Sequence, residues 1–532
     1  MQHSIKLTID NIKTEAETGS TILQVAKKLN IRMPTMCHQT GYEPATSCMI
    51  CVVKEKRSGR FLPACSALVG EGMVIETHSD ETRRMRRAAL ELLLSEHVGD
   101  CEAPCQRLCP AGVHIPLTIR QIEAGNYRDA LITIKKRIPL PAVLGRICPA
   151  PCEKSCRRSL QDNPVGIRLL KQFVADIDLN SKSPYSPECK PLSGFRVAII
   201  GAGPAGLSAA YYLGQKGHSC HLFDNRSEPG GALRYKIPRE RLSAQALDRE
   251  IETIRGLSAS LHNSFYMNHE LSKDLSIKEL RKDYRAVVIA IGAIDPMILG
   301  DLKRAEAFGV TLSKRGIAVR PRLFLTNLPG VFAIGSAVKT ERMAVKSIAQ
   351  GRLVADSAHQ FLMGREIDGP RSRFHSRMGK LLDGEISEFS QGVSQEDRIL
   401  PKIETIGFSS SEATRESRRC LRCDCCKPNS CKLRIYAEEY QAESKKYKQK
   451  TRKFFQRQLY PGTVIFETGK CIKCGLCVQI TEKAGERFGL CFIGRGFDVR
   501  VEAPLNETLA QGLQQTAIEC VNACPTGALG FE

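Results

Sequence analysis

Twenty of the 23 cysteines in this chain fall into tight groups, and grouped thiols in a long chain are metal ligands or redox groups before they are bridges. Only Cys189, Cys220 and Cys491 stand alone, and these read as small buried apolar side chains. The first group, Cys37, Cys48, Cys51 and Cys65, is spaced C-x10-C-x2-C-x13-C. Three thiols on one loop, with a fourth arriving from a later strand, suit a plant-type [2Fe–2S] centre. The close pair Cys48/Cys51 is expected to hold one iron edge, with Cys37 and Cys65 completing the cage. Zinc is the alternative, although zinc sites usually pair two short C-x2-C elements.

Three further groups follow. Cys101, Cys105 and Cys109 precede Cys148, Cys152 and Cys156. Between Cys420 and Cys431 lie five cysteines in twelve residues, enough for one [4Fe–4S] cluster on Cys420, Cys423, Cys425 and Cys431, with Cys426 spare. Cys471, Cys474 and Cys477 form a ferredoxin C-x2-C-x2-C loop, whose fourth ligand normally precedes a proline in a distant segment; Cys524-Pro525 fits, and Cys520 reads as spare. A different chemistry is written at Gly201-Ala-Gly203-Pro204-Ala205-Gly206, where glycines let the backbone approach a pyrophosphate at a helix N-terminus. Asp224, at the end of the next strand, is placed to bond the adenosine ribose.

The elements that position these groups are legible from periodicity. Ser4 to Asp10 alternates with period two, Asp10-Asn11 marks a turn and Ile12 to Glu17 returns; Ser20 is expected to cap a helix from Thr21 to Leu29. Residues 82–97 read as a helix with an apolar face at Leu90, Leu93 and Leu94, ending at His97. Phe195 to Leu213 reads as strand, glycine turn and helix, and His218 to Phe223 as the next strand. Residues 190–194 read as a short linker, and Arg371 to Pro401 as linker or surface helices.

Residues 1–97 resemble the N-terminal ferredoxin-like domain of the large iron–sulfur subunit of respiratory complex I and of iron-only hydrogenases. In the complex I relatives a His-x3-Cys such as His97-x3-Cys101 begins a histidine-plus-three-cysteine cluster site. From Cys101 to about residue 178 the chain instead resembles the N-terminal cysteine domain of the glutamate synthase small subunit, shared with dihydropyrimidine dehydrogenase. Family members hold two [4Fe–4S] clusters there, on seven or eight interleaved ligands. This chain offers six cysteines: the opening C-x2-C is missing, and Lys171 stands where relatives use Gln or Glu. The resemblance implies one site from Cys101, Cys105 and Cys156, with His97 as candidate fourth ligand, and another from Cys109, Cys148 and Cys152. The other reading of His97 is a helix C-terminal cap.

The same family places the stretch Gly230-Gly231-Ala-Leu-Arg234 against a flavin, and Ala286–Gly292 and Gly330–Ser336 resemble later strands of its FAD domain. The second normally ends Gly-Asp; here it ends Gly335-Ser336. Relatives insert an NAD(P)H-binding domain between those strands, whereas about 33 residues separate Gly292 from Thr326, and one βαβ unit alone needs ~30. Residues 418–532 resemble complex I again, through the cysteine groups, Gly494-Arg-Gly496 and the closing Cys-Pro-x-Gly-Ala-Leu.

With 532 residues, three to five domains are expected. The reading is a multidomain α/β and α+β chain: a β-grasp 2Fe–2S ferredoxin-like domain (1–80), a helical 4Fe–4S domain (81–190), a Rossmann-type FAD domain without the NAD(P)H insertion (191–370), a linker (371–417) and a ferredoxin-like 4Fe–4S domain (418–532). Hydrophobic content of 42% excludes wholesale disorder. No apolar run of about 18 residues exists, and Met1-Gln2-His3 leads directly into a strand pattern, so a cytoplasmic protein without a membrane span is expected. The net charge of +21 would point to nucleic acid, but thiolate clusters and a flavin dinucleotide would offset roughly 10–12 of those charges, so no nucleic-acid partner is expected.

The function implied is an iron–sulfur flavoprotein electron-transfer subunit carrying FAD, one 2Fe–2S cluster and three to four 4Fe–4S clusters. Its expected partners are a complex I-like NADH/FMN-binding flavoprotein and a small 2Fe–2S subunit, with hydrogenase, formate dehydrogenase or ferredoxin as terminal partner. The alternatives are a glutamate synthase small-subunit-like NAD(P)H oxidoreductase and a zinc-binding scaffold. No acid–base pair or activated nucleophile stands out.

Overall fold

The computed structural model describes residues 4–257, 263–271, 273–294, 308–369, 373–403, 406–448, 451–460 and 464–531. Met1-Gln2-His3, Arg371 at the start of the expected linker, and residues 295–307 of the span between Gly292 and Thr326 lie outside them. The chain divides into two compact units. Unit 1 gathers Met1–Ala103, Arg373–Gly392 and Arg422–Glu532; unit 2 comprises Pro104–Ser372 and Val393–Leu421.

Unit 1 begins with the expected hairpin, β1 (Ser4–Ile9) and β2 (Ile12–Glu17), paired from Ser4↔Glu17 to Ile9↔Ile12. Asp10 and Asn11 both take positive φ, as a two-residue hairpin turn demands. Helix α1 (Ile22–Lys28) follows, capped by Thr21 rather than by Ser20. A capping box needs Glu or Gln three residues beyond the cap, and Gln24 provides it for Thr21: the Gln24 N–H donates to Thr21 Oγ1 at 3.2 Å and Thr21 N–H donates to Gln24 Oε1 at 2.7 Å. Strands β3 (Val52–Glu55), β4 (Phe61–Pro63) and β5 (Val74–Glu76) complete a sheet of order β2-β1-β5-β3-β4, in which β1 and β5 run parallel. Helix α2 (Asp80–Ser95) is capped by Ser79 and buries Leu90 and Leu94, with Leu93 half-buried.

Unit 2 opens with the helical cysteine region: α3 (Ile115–Glu123), α4 (Tyr127–Lys135), α5 (Pro141–Ile147) and α6 (Ile167–Leu179). It continues into a parallel sheet of β6 (Arg196–Ile200), β7 (Ser219–Asp224), β8 (Ser264–Met267), β9 (Ala286–Ile289) and β10 (Val331–Ala333), in the order β10-β9-β6-β7-β8. Its apolar runs are buried on both faces, as parallel strands require. Helix α7 (Pro204–Gln215) follows β6, and α8 (Ala244–Arg255) and α9 (Ala344–Leu362) flank the sheet. The helical region and the sheet share one hydrophobic core. Glu250 of α8 joins them by accepting the N–H groups of Ala142 and Val143, at 2.7 and 2.9 Å, in the first turn of α5.

In the C-terminal part of unit 1, α10 (Lys432–Glu439) precedes β11 (Arg457–Tyr460), β12 (Val464–Glu467), α11 (Leu476–Lys483), α12 (Ala517–Ala523) and β13 (Leu529–Phe531), with a sheet order β11-β12-β13. The charged stretch expected as a linker is divided between the units. Two of its carboxylates are buried: Glu385 binds Arg452 and the Phe455 N–H inside unit 1, and Glu416 binds the Gly166 N–H and Arg419 inside unit 2. Among the described residues no helix is long and apolar enough to cross a membrane.

Burial raises the Glu250 carboxyl to about 7, against the pull of the Val143 and Ala142 N–H groups. A carboxyl raised above its unfolded value contributes stability that is complete below about pH 4.3 and lost as pH rises through 7. The melting temperature of unit 2 is therefore expected to fall between pH 5 and 8, by up to about 3 kcal/mol of stability. Thermal unfolding of Glu250→Gln should lack that slope; an unchanged slope would count against the assignment.

Candidate metal centres and dinucleotide turn

All 23 cysteines are free thiols. Cys37, Cys48, Cys51 and Cys65 converge at one end of the first sheet, each buried. They meet as Cys37 with Cys48, Sγ to Sγ 3.2 Å, and Cys51 with Cys65. This corrects the expected Cys48/Cys51 edge. Cys48 and Cys51 are three residues apart on a tight loop, and each meets a partner from outside it. The hydrogen bond shared within each pair lowers one thiol, Cys37 to about 6 and Cys51 to about 7, and pushes Cys48 and Cys65 up in return. A two-iron group, each iron held by a pair of thiolates, fits this two-plus-two arrangement.

Cys471, Cys474, Cys477 and Cys524 line one apolar hollow with Phe466 and Leu476. Burial raises Cys471 to about 11, Cys474 to about 12 and Cys477 further. Neutral thiols sit comfortably in such a hollow, and thiolates there require a bound cation. Cys520 points away and donates to the Cys477 carbonyl at 3.8 Å.

Cys101 belongs to unit 1, whereas Cys105 and Cys156, expected to share its site, belong to unit 2. The Cys101 carbonyl accepts the Cys425 N–H at 3.4 Å, and its Sγ accepts the Ser376 N–H at 3.3 Å. Its thiol lies within electrostatic reach of Cys425, Arg434 and Lys470. The His97 side chain does not cap α2; its Nδ1 lies 3.2 Å from Ser376 Oγ, and burial pulls the ring down to about 4. Cys426 stands beside Cys425, and its Sγ donates to the Gly527 carbonyl at 3.3 Å. Cys423 is half-buried in the same unit.

In unit 2, Cys109, Cys148 and Cys152 interact with one another, and Lys171 acts on Cys152, which burial raises to about 12. Cys105, Cys156 and Cys420 pack against the main core of that unit. Arg419 acts on Cys156, and Arg158, next but one after Cys156, reaches the Arg419 carbonyl at 3.5 Å.

Sequence reasoning missed Lys470, Glu467 and Arg457. The Lys470 ammonium is buried and ion-paired to Glu467, which also binds Arg457 at 2.8 Å. Burial works against the Lys470 charge, but Cys425, Glu467 and Cys426 outweigh it and hold the group protonated. A lysine directly before a cysteine loop was the available signal; its burial was not. Among the described residues no three His, Cys, Asp or Glu side chains close on one point as a single ion would need.

The dinucleotide turn leaves β6 where the strand order reverses between β6 and β9, the usual ligand position in such sheets. Gly203 precedes Pro204, the first residue of α7, with Ala205 and Gly206 in its first turn. A Cβ on Gly206 would lie 1.9 Å from the Gly201 carbonyl oxygen, and one on Gly231 would lie 2.8 Å from Gly203 Cα. Gly230 N–H closes the turn on the Ala202 carbonyl at 2.9 Å. Asp224 also braces the turn: Oδ2 accepts the Ala202 N–H at 2.7 Å and Oδ1 the Arg226 N–H at 2.9 Å, which leaves the outer lone pairs for a ribose hydroxyl. Arg234 is turned to the Pro229 carbonyl and Asp248. Gly335 N–H donates to Gln350 at 2.7 Å, and Ser336 Oγ accepts the Glu341 N–H at 3.2 Å.

Comparison with known proteins matches three parts of the chain. Residues 2–80 match the 2Fe-2S iron-sulfur cluster binding domain, residues 94–183 the dihydropyrimidine dehydrogenase domain II, 4Fe-4S cluster, and residues 199–263 the NAD(P)-binding Rossmann-like domain. Its relatives are oxidoreductase subunits. The NADP(+)-dependent formate dehydrogenase subunit beta of Moorella thermoacetica is 37% identical over 228 residues, covering 39% of this chain and 32% of the relative. The NADPH-Fe(3+) oxidoreductase subunit beta of Geobacter sulfurreducens is 37% identical over 195 residues, covering 36% and 28%. The glutamate synthase [NADPH] small chain of Mycobacterium tuberculosis is 36% identical over 197 residues, covering 36% and 39%. The chain thus spans well under half the length of these relatives. It is a multidomain chain with 2Fe-2S, 4Fe-4S and NAD(P)-binding Rossmann-like domains.

Gly206→Ala is expected to force the turn apart and weaken dinucleotide binding by about tenfold or more, while leaving the visible iron–sulfur absorption unchanged. Titration with FAD and with NADPH, followed by fluorescence, checks this; wild-type affinity for both would speak against the turn as the binding site.

Proposed function

We propose that this chain is the iron–sulfur flavoprotein electron-transfer subunit of an NAD(P)H-linked oxidoreductase complex. One observation carries the reading: Cys37 and Cys48 of the first thiol group, Cys431 of the third and Cys474 of the fourth lie in a single hydrophobic cluster of unit 1, and the Cys474 thiol is close enough to Cys37 to sense its charge. Centres that pass single electrons must be adjacent and shielded from water, and the apolar shell around them sets their potentials.

In this reading Cys37, Cys48, Cys51 and Cys65 hold a 2Fe–2S group, and Cys471, Cys474, Cys477 and Cys524 a 4Fe–4S group. The other grouped cysteines, Cys101 to Cys156 and Cys420 to Cys431 without Cys426, with His97 at their edge, hold one further cluster in unit 1 and one or two in unit 2. Lys171 supplies a positive charge beside Cys109, Cys148 and Cys152. Residues Gly201 to Gly206, Gly230, Gly231, Arg234, Gly335 and Ser336 receive FAD, and Asp224 fixes the shape of the turn that receives its pyrophosphate. When bound, the flavin supplies exchange between two-electron and one-electron carriers. The partners fitting this role are an NADH- or NADPH-oxidising flavoprotein with a small 2Fe–2S subunit, and a formate dehydrogenase, hydrogenase or ferredoxin at the far end; two of the relatives are named as beta subunits.

A second reading is favoured by the match of residues 199–263 to an NAD(P)-binding domain: a chain that takes a nicotinamide itself, as a glutamate synthase small-subunit-like enzyme would. Hydride transfer needs the nicotinamide about 3–3.5 Å from the flavin, and the short span between Gly292 and Thr326 argues against room for the domain that would hold it.

Anaerobic analysis is expected to return FAD, one [2Fe–2S] and three or four [4Fe–4S] centres. Stoichiometric zinc with little acid-labile sulfide would sink the proposal. Stopped-flow mixing of the lone chain with NADH or NADPH should reduce its flavin only slowly; saturable bleaching at tens per second without a partner would favour the second reading. Cys474→Ala should remove one [4Fe–4S] EPR signal and spare the [2Fe–2S] signal, and loss of both from a folded protein would disprove the partition.

A further inference from the structure

We propose that Cys101, Cys425 and Cys431 are ligands of one iron–sulfur centre in unit 1, assembled across the whole middle of the chain, and that Cys426 is not among them. The inference rests on the iron–sulfur reading above and deepens it by naming a ligand set that spacing alone divides differently.

Three observations place the thiols together. The backbone N–H of Cys425 donates to the carbonyl of Cys101, so the two residues stand side by side although the entire inserted region separates them in sequence. Cys431, the residue that opens α10, has both Cys425 and Cys101 acting on its thiol, and Cys101 in turn has Cys425 acting on its own. All three side chains are buried, at 8%, 6% and 6% exposure. Cys426 touches the Cys425 thiol, but its remaining neighbours lie on another side. Its Sγ donates to the Gly527 carbonyl, and it lines an outer recess with Met36, Gln39 and Phe531.

The surroundings suit an anionic cage. Ser376 N–H donates to Cys101 Sγ, and the same residue's Oγ meets the His97 ring, so one serine orients both members of this corner. Donors to sulfur are a recognised means of tuning such centres. Lys470, buried and paired to Glu467, places its positive charge beside Cys425. Lys432 N–H, one residue beyond Cys431, is bound to the Pro525 carbonyl at 2.8 Å and fixes the start of α10 against the last loop.

The test uses the full chain, reconstituted and handled anaerobically, with iron and acid-labile sulfide counts and EPR of the dithionite-reduced protein. Cys101→Ser and Cys425→Ser are each expected to lose the same [4Fe–4S] signal and about four irons. Cys426→Ser should keep both, and Cys105→Ser should remove a different signal. The [2Fe–2S] spectrum serves as the folding control. If Cys425→Ser fails that control, Cys426→Ser still decides: loss of one [4Fe–4S] signal in that folded variant overturns the proposal. Loss of one common signal in Cys101→Ser and Cys105→Ser also overturns it. Absence of acid-labile sulfide from the parent chain would overturn the iron–sulfur reading itself, a result distinct from a wrong partition.

Discussion

One guanidinium, that of Arg434, holds together the three separate stretches of chain that make up unit 1. Its Nη2 donates to Glu102 at 3.0 Å at the end of the first stretch, its Nε to the Phe374 carbonyl at 2.9 Å in the second, and its Nη1 to the Pro428 carbonyl at 2.9 Å in the third. The side chain is buried, and a planar fork of five donors is suited to three acceptors arriving from three directions; a lysine ammonium would not reproduce it. The chain leaves unit 1 after Ala103 and re-enters at Arg373 and Arg422, so the positions of Cys101, Ser376 and Cys425 all depend on this closure.

The same region explains why buried charge is tolerated. Ion pairs in a protein interior contribute little net stability, because desolvation offsets attraction. Lys470, Glu467 and Arg457 would be an expensive trio if their purpose were stability alone. Beside thiolates the balance changes: each metal-bound thiol is an anion in a low-dielectric setting, and a fixed ammonium lowers the cost of that anion. Part of the excess of basic residues is thus local and structural. Lys470 and Arg434 act on Cys101, Lys171 on Cys152 and Arg419 on Cys156.

The spacing of the cysteines carried the metal chemistry, because ligand geometry restricts how far apart in sequence a loop's thiols can be. It carried the two simple groups in full: Cys37 to Cys65, and Cys471 to Cys477 with Cys524. It did not carry pairing within a group. Which of Cys48 and Cys51 meets Cys37 is decided by side-chain direction on a loop where Met49 takes a positive φ, and spacing is blind to that. It also failed where an inserted region splits a unit, since Cys101 and Cys105 are four residues apart yet belong to different units. Strand alternation and the glycine turn located the hairpin and the Rossmann-like half accurately. The burial of Glu385, Glu416 and Lys470 was illegible, because a charged residue in sequence looks like surface until its partner is known.

Insertion of one domain into another is tolerated where the host's broken ends lie close together, since the guest then imposes no strain on the host. In unit 1 those ends are bonded to each other, Cys425 N–H to the Cys101 carbonyl, and the bond lies at a pair of thiols. Two of the four points at which the chain passes between the units, after Ala103 and before Arg422, thus lie within a few residues of thiols proposed as ligands. On the proposed reading this is more than convenience of folding. A chain holding one dinucleotide turn and several one-electron centres serves to change the number of electrons moved per step.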